Sequence, residues 1–186
     1  MVVALVATLA LVQLRGMLTA ANPSDSAPGA ISRGQPAPAV AGTTLDGMPF
    51  DLAALRGRPV LINFWGPSCV PCRDEFPLFK EKLAAHASDG LAIVGVLMDD
   101  PAAPARDFAR DYGGTWPTVE DPTEAIQVAY RVAARPQTYF IDRDGILRSI
   151  QVGQLTDAEF ERQYALISGP QASGGPQASA TAQASP

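Results

Sequence analysis

The chain's only two cysteines lie in the tetrad Cys69-Val70-Pro71-Cys72, close behind the run Val60-Leu61-Ile62-Asn63-Phe64-Trp65, which is apolar at all but one position. A β-prone run of this kind, stopped by Gly66-Pro67-Ser68, reads as a central strand covered on both faces. A helix is expected from about Cys69 to about Ala87, with Pro71 tolerated in its first turn and Pro77 bending its middle. The tetrad then falls at a strand-to-helix junction, where unpaired N–H groups and the helix dipole favour a thiolate on the first cysteine. Cys69 is the expected attacking thiol. Cys72, three residues on and on the same helix face, is the expected resolving thiol. Such a pair suits thiol-disulfide exchange. The alternative is an inert crosslink, but closing so small a loop constrains the unfolded chain little.

Charge and composition exclude other classes. Fourteen basic and 19 acidic side chains leave a net charge of −5 on 186 residues, with no Lys/Arg-rich stretch, so nucleic acid is not an expected partner. Two cysteines and one histidine cannot supply a tetrahedral zinc site of the usual Cys/His kind. No cofactor is expected beyond the Cys69–Cys72 disulfide itself.

Turn and cap signals order the rest. Leu45-Asp46-Gly47-Met48 reads as a hairpin turn and Leu52 to Gly57 as a short helical turn closed by glycine. Residues 91–97 form a second buried strand. Asp100-Pro101 opens a helix to Tyr112, closed by Gly113-Gly114, and Asp121-Pro122-Thr123-Glu124 has the order of N-cap, first-turn proline and capping-box glutamate. Strands over 137–142 and 146–152 flank the hairpin residues Arg143-Asp144-Gly145, and Thr156-Asp157-Ala158-Glu159 caps a last helix. Helices interleaved with buried strands, ending in an antiparallel hairpin, predict an α/β fold with a central mixed sheet.

The ends read differently. Residues 2–12 are apolar except Thr8, a length that suits a signal peptide's core; with more apolar length upstream the segment would be an uncleaved anchor. Residues 1–21 are therefore expected to be a signal peptide or membrane anchor, the alternative being a buried helix of a cytosolic domain. Residues 22–39, rich in Pro, Ser, Ala and Gly, read as a flexible linker, residues 40–168 as the folded domain, and the uncharged 169–186, which repeats Gly-Pro-Gln-Ala-Ser, as a disordered tail.

The segment from Val60 through Cys69-Val70-Pro71-Cys72-Arg73-Asp74-Glu75-Phe76-Pro77 resembles the TlpA/ResA/DsbE (CcmG) branch of the thioredoxin superfamily. Arg135-Pro136-Gln137-Thr138-Tyr139-Phe140-Ile141-Asp142-Arg143-Asp144-Gly145 resembles that branch's proline loop and hairpin, and the stretch between Asp100 and Arg131 its central helical insertion. The resemblance implies a thioredoxin-like fold with an N-terminal hairpin. It also implies a cis-proline at Pro136 facing the dithiol, with an ordinary trans-proline as the alternative. Pro136, Arg135 and Trp65 are the implied partner-contacting residues, with the backbone of Arg135 pairing with an extended segment. Glu75, three residues past Cys72, is the implied acid-base group; otherwise it is a solvated acid pairing with Arg73 or Lys80. Asn63 stands where cytosolic thioredoxins place a buried aspartate. One departure is Ser68, where a tryptophan usually precedes the first cysteine.

By the same resemblance the chain is an extracytoplasmic thiol-disulfide reductase of protein disulfides. Its targets would include the heme-attachment cysteines of apocytochrome c, and a membrane thiol-disulfide donor would recharge it. A disulfide oxidase on the same fold and a binding module with a silent dithiol are the alternatives. A peroxidase is disfavoured, because the Thr/Ser and Pro expected ahead of its nucleophile are replaced by Gly66 and Ile62. His86, about four turns past Cys72, is too far along the rod to reach the sulfurs and is expected to meet the helix dipole. Trp116 and Phe108 are expected in packing.

Overall fold

A computed structural model of the protein describes residues 31–169. The expected signal or anchor over 1–21, the first part of the linker and the tail from 170 lie outside the described residues. Among those described, no helix is long and apolar enough to cross a membrane.

In chain order the elements are β1 (Ala41–Thr43), β2 (Pro49–Asp51), β3 (Val60–Trp65), α1 (Val70–Ala85), β4 (Ala92–Leu97), α2 (Ala102–Tyr112), β5 (Thr118–Glu120), α3 (Ala125–Tyr130), β6 (Gln137–Ile141), β7 (Leu147–Val152) and α4 (Asp157–Ser168). Strands β1 and β2 form an antiparallel hairpin. The other five make a mixed sheet in the order β5-β4-β3-β6-β7, parallel through β3, β4 and β5 and antiparallel at β6 and β7. This is the expected α/β arrangement.

Strands β3 and β4 are buried at every position, because helices cover both faces of the sheet. Alternation along β3 divides its side chains. Leu61 and Trp65 join Phe76, Phe79, Phe108, Trp116 and Phe160 in one apolar layer, while Val60, Ile62 and Phe64 join Tyr130, Tyr139 and Leu147 in the other. Asn63 has the parity of Leu61 and Trp65, so its amide points toward α1. Trp65, Phe76, Phe108 and Trp116 stack edge-on or tilted at centroid separations of 4.7–5.2 Å, anchoring the start of α1 over the sheet.

Three local expectations are corrected. A fifth sheet strand, β5, occupies residues that carried no strand signal. Asp121 and Glu124 do not form a capping box: α3 begins at Ala125, Glu124 sits at φ 58°, and Asp121 Oδ2 instead accepts from Gln127 N at 2.8 Å. The third concerns the linker, because residues 31–39 belong to the folded body. Gly34 N donates to Leu147 O at 2.7 Å, Leu147 N to Gln35 O at 2.9 Å and Ala37 N to Gly145 O at 2.9 Å, so this segment covers the edge at the start of β7. The expected cap of α4 does form, with Thr156 and Glu159 bonding each other's backbone N–H groups.

Candidate active site

Strand β3 delivers the chain to a tight turn, Gly66-Pro67-Ser68, closed by Cys69 N donating to Gly66 O at 3.0 Å. Cys69 is the N-cap of α1, with extended φ/ψ (−88°, 106°), and its Sγ lies 3.3 Å from Cys72 N. A disulfide joins Cys69 to Cys72, whose Cα atoms are 5.3 Å apart. The two cysteines are both buried but not equivalent: Cys69 keeps 7 % exposure and Cys72 none. Cys69, the less enclosed of the two, sits at the end of the helix where backbone N–H groups and dipole favour an anion.

Behind Cys72, one turn along the same face, Glu75 is also fully buried. The solvated alternative, pairing with Arg73 or Lys80, therefore does not hold. Glu75 Oε1 accepts from Leu155 N at 2.7 Å, and Oε2 lies 3.4 Å from the donor Asn63 Nδ2, which also donates to Thr138 Oγ1 at 2.9 Å. Burial dominates these bonds and pushes the Glu75 carboxyl up to about 7. A carboxyl so tuned exchanges its proton near neutral pH beside a buried thiol position.

Across the turn, the Arg135–Pro136 peptide bond is cis, so the trans alternative does not hold. Pro136 is buried and leads into β6; among the described residues neither N–H nor C=O of Arg135 makes a backbone hydrogen bond. The side chain of Arg135 is heavily engaged. Its Nη1 pairs with Asp100 Oδ2 at 2.9 Å and donates to Met98 O, and its Nη2 donates to Ser68 Oγ at 2.7 Å. Ser68 Oγ in turn donates to Asp100 Oδ2 at 2.9 Å, and the Ser68 N–H reaches the same oxygen at 3.3 Å. A closed polar ring therefore stands beside Cys69, centred on Ser68. Sequence reasoning took Asp100 as a helix opener and missed this ring, for which the only signal was the absent tryptophan at position 68.

Trp65 is corrected as a partner-contacting residue. Its side chain has no exposure and packs against Phe76 and Phe108, so it floors the site instead of touching an incoming chain. Its Nε1, like Asn63 Oδ1, has no partner among the described residues. His86 caps the far end of α1, tilted against Tyr164 with ring centroids 4.0 Å apart and 3.2 Å from Glu161 Oε1, remote from the disulfide as expected.

A dithiol pair at the head of a helix, beside a cis-proline and on a sheet of this strand order, defines the thioredoxin-like thiol-disulfide oxidoreductases. Residues 33–150 match the AhpC/TSA family, and the chain belongs to it. It is 34% identical over 133 residues to a thiol-disulfide oxidoreductase ResA of Geobacillus kaustophilus, covering 72% of this chain and 76% of the relative. Among solved structures it resembles a thiol:disulfide interchange protein of Chlorobium tepidum at 28% identity and TM-score 0.68, covering 75% of this chain and all of the other. A secreted Mycobacterium tuberculosis disulfide oxidoreductase homologous to Escherichia coli DsbE matches at 26% identity and TM-score 0.62, covering 69% of this chain and 96% of the other. The chain is thus a thiol-disulfide oxidoreductase of the ResA/DsbE type, with Cys69-Val70-Pro71-Cys72 as its redox-active tetrad.

Proposed function

We propose that the protein works outside the cytoplasm as a reductase of polypeptide disulfides, with Cys69 as attacking thiol, Cys72 as resolving thiol and Glu75 as proton acceptor. The observation that carries this reading is the asymmetry of the site: one cysteine on a helix N-cap that keeps slight exposure, the other fully enclosed one turn ahead of a buried carboxyl poised near neutrality. In the reduced protein the Cys69 thiolate attacks one sulfur of the partner disulfide and expels the other as a thiolate, which takes a proton from water. Cys72 then gives its proton to Glu75 and attacks Cys69 Sγ, expelling the second partner sulfur. Two electrons pass to the partner, whose second sulfur likewise leaves as a thiolate and takes a proton from water; Glu75 returns the Cys72 proton to solvent, and the Cys69–Cys72 bond closes. The backbone of Arg135, beside Pro136, provides the short extended edge on which a partner segment pairs.

An extracytoplasmic location is supported by the apolar stretch over residues 2–12 and by the secreted relative. In an oxidising compartment the dithiol needs a dedicated donor, and a membrane thiol-disulfide carrier fits that need. Apocytochrome c heme-attachment cysteines are the narrower substrate proposal. Trapping tests both levels. The Cys72→Ser protein, expressed in intact cell envelopes, accumulates mixed disulfides through Cys69, while Cys69→Ser accumulates none. Recovery of cytochrome precursors supports the narrower substrate, and a mixture of unrelated exported proteins a general reductase. Equilibration with glutathione gives a potential near or below about −250 mV for a reductase; a value near about −120 mV overturns that direction in favour of an oxidase.

A further inference from the structure

The ring of Ser68, Asp100 and Arg135 joins three loops that are distant in sequence: the turn before Cys69, the loop after β4 and the cis-proline loop. Its ion pair is largely shielded, with side-chain exposures of 22 % for Arg135 and 13 % for Asp100, so its charges are screened less than a surface pair's. Gly66 shows how closely it is fitted. A Cβ there would lie 2.6 Å from Arg135 Nη1 and 2.9 Å from Met98 O, so the turn that carries Cys69 is packed directly beneath the guanidinium. Both charges bear on Ser68, the residue adjacent to Cys69.

We propose that Asp100 and Arg135 are positioning residues that act as opposed charges on Cys69, Arg135 favouring its thiolate and Asp100 disfavouring it, so that their balance sets the redox poise of the tetrad. This rests on Cys69 being the attacking thiol. The charged groups on the elements that meet at the tetrad and the ring are Arg73, Asp74 and the buried Glu75 on α1, Asp99 and Asp100 after β4, Glu120, Asp121 and Glu124 at and after the end of β5, and Arg135 before β6. Acids outnumber bases in this set. Asp99, Asp100, Glu120, Asp121 and Glu124 line a single cleft, and Arg135 is the cation that reaches its rim by pairing with Asp100. Removing Arg135 exposes the sulfur to uncompensated negative charge, disfavouring the thiolate and making the disulfide harder to reduce. Removing the charge of Asp100 does the opposite.

The test titrates Cys69 by thiolate absorbance and alkylation rate in the full chain carrying Cys72→Ser, alongside glutathione equilibria of the two-cysteine proteins. Arg135→Gln is expected to raise the Cys69 pKa by about half a unit or more and lower the reduction potential; Asp100→Asn is expected to shift both the other way. The double variant is expected to return toward the parent, and Arg135→Lys to keep most of the parent value. Shifts of the same sign in the two single variants, or none in either, overturn the proposal, because a merely loosened loop gives no opposed signs. Should Asp100→Asn fail to fold, the comparison of Arg135→Gln with Arg135→Lys decides, since only the former removes charge. A Cys69 unreactive in every variant refutes the proposed function instead, so the two failures are distinct.

Discussion

Glu75 shows how one side chain can hold opposite values for folding and for chemistry. Burial raises its carboxyl from the ordinary 4.5 to about 7, so the folded protein holds a proton that the unfolded chain has released between those values. Stability from this group is full below about pH 4.5, falls as pH rises toward 7 and stays lost above it; the penalty is on the order of 3 kcal/mol. Glu75→Gln is accordingly expected to flatten the pH profile of urea unfolding, leaving stability nearly unchanged at pH 4 and raising it at pH 8 relative to the parent. A parent profile that rises with pH over that interval contradicts the raised carboxyl. The same substitution is expected to slow the resolving step, because an amide cannot accept the Cys72 proton. The spacing of Glu75 from Cys72 was legible in the sequence, since a three-residue step on a helix fixes a shared face. Its burial was not, because it depends on Leu155 N, donated from a loop 80 residues away.

Elements were legible where their ends carried local chemistry. Strand β3 announced itself through a continuous apolar run, and α4 through Thr156 and Glu159, whose reciprocal bonds need only their own turn. Thr156→Ala is expected to cost about 1 kcal/mol in urea unfolding, without moving the reduction potential. Strand β5 was illegible because three residues between Pro117 and Asp121-Pro122 have no period of their own; pairing with β4, Gly95 N donating to Pro117 O at 2.9 Å, makes the strand. Asp121 had the right neighbours for a cap but not the right backbone. The left-handed conformation at Glu124 shifts the helix start, and the carboxylate reaches Gln127 N instead.

At the scale of the molecule, composition misled where topology decided. Residues 31–39 have linker-like content, yet they close the edge beside β7, and Tyr130 Oη donates to Pro38 O at 2.7 Å. A chain begun at residue 40 is expected to unfold at lower urea than one begun at 31, by several backbone bonds of about 1 kcal/mol each; equal midpoints would show the segment to be dispensable. The ring of Ser68, Asp100 and Arg135 was equally invisible, since no local pattern links positions 32 and 35 residues apart. Strand direction gives the segment a second meaning. The redox tetrad lies where β3 ends, whereas residues 34–37 meet β7 where it begins, and β7 runs alongside β3 with the same heading. Helix α4 leaves Leu155, near the tetrad, and travels back the other way to residue 168. Both chain exits thus sit at the pole opposite the reactive sulfur, so a support grafted through either one holds the protein with its chemistry facing outward.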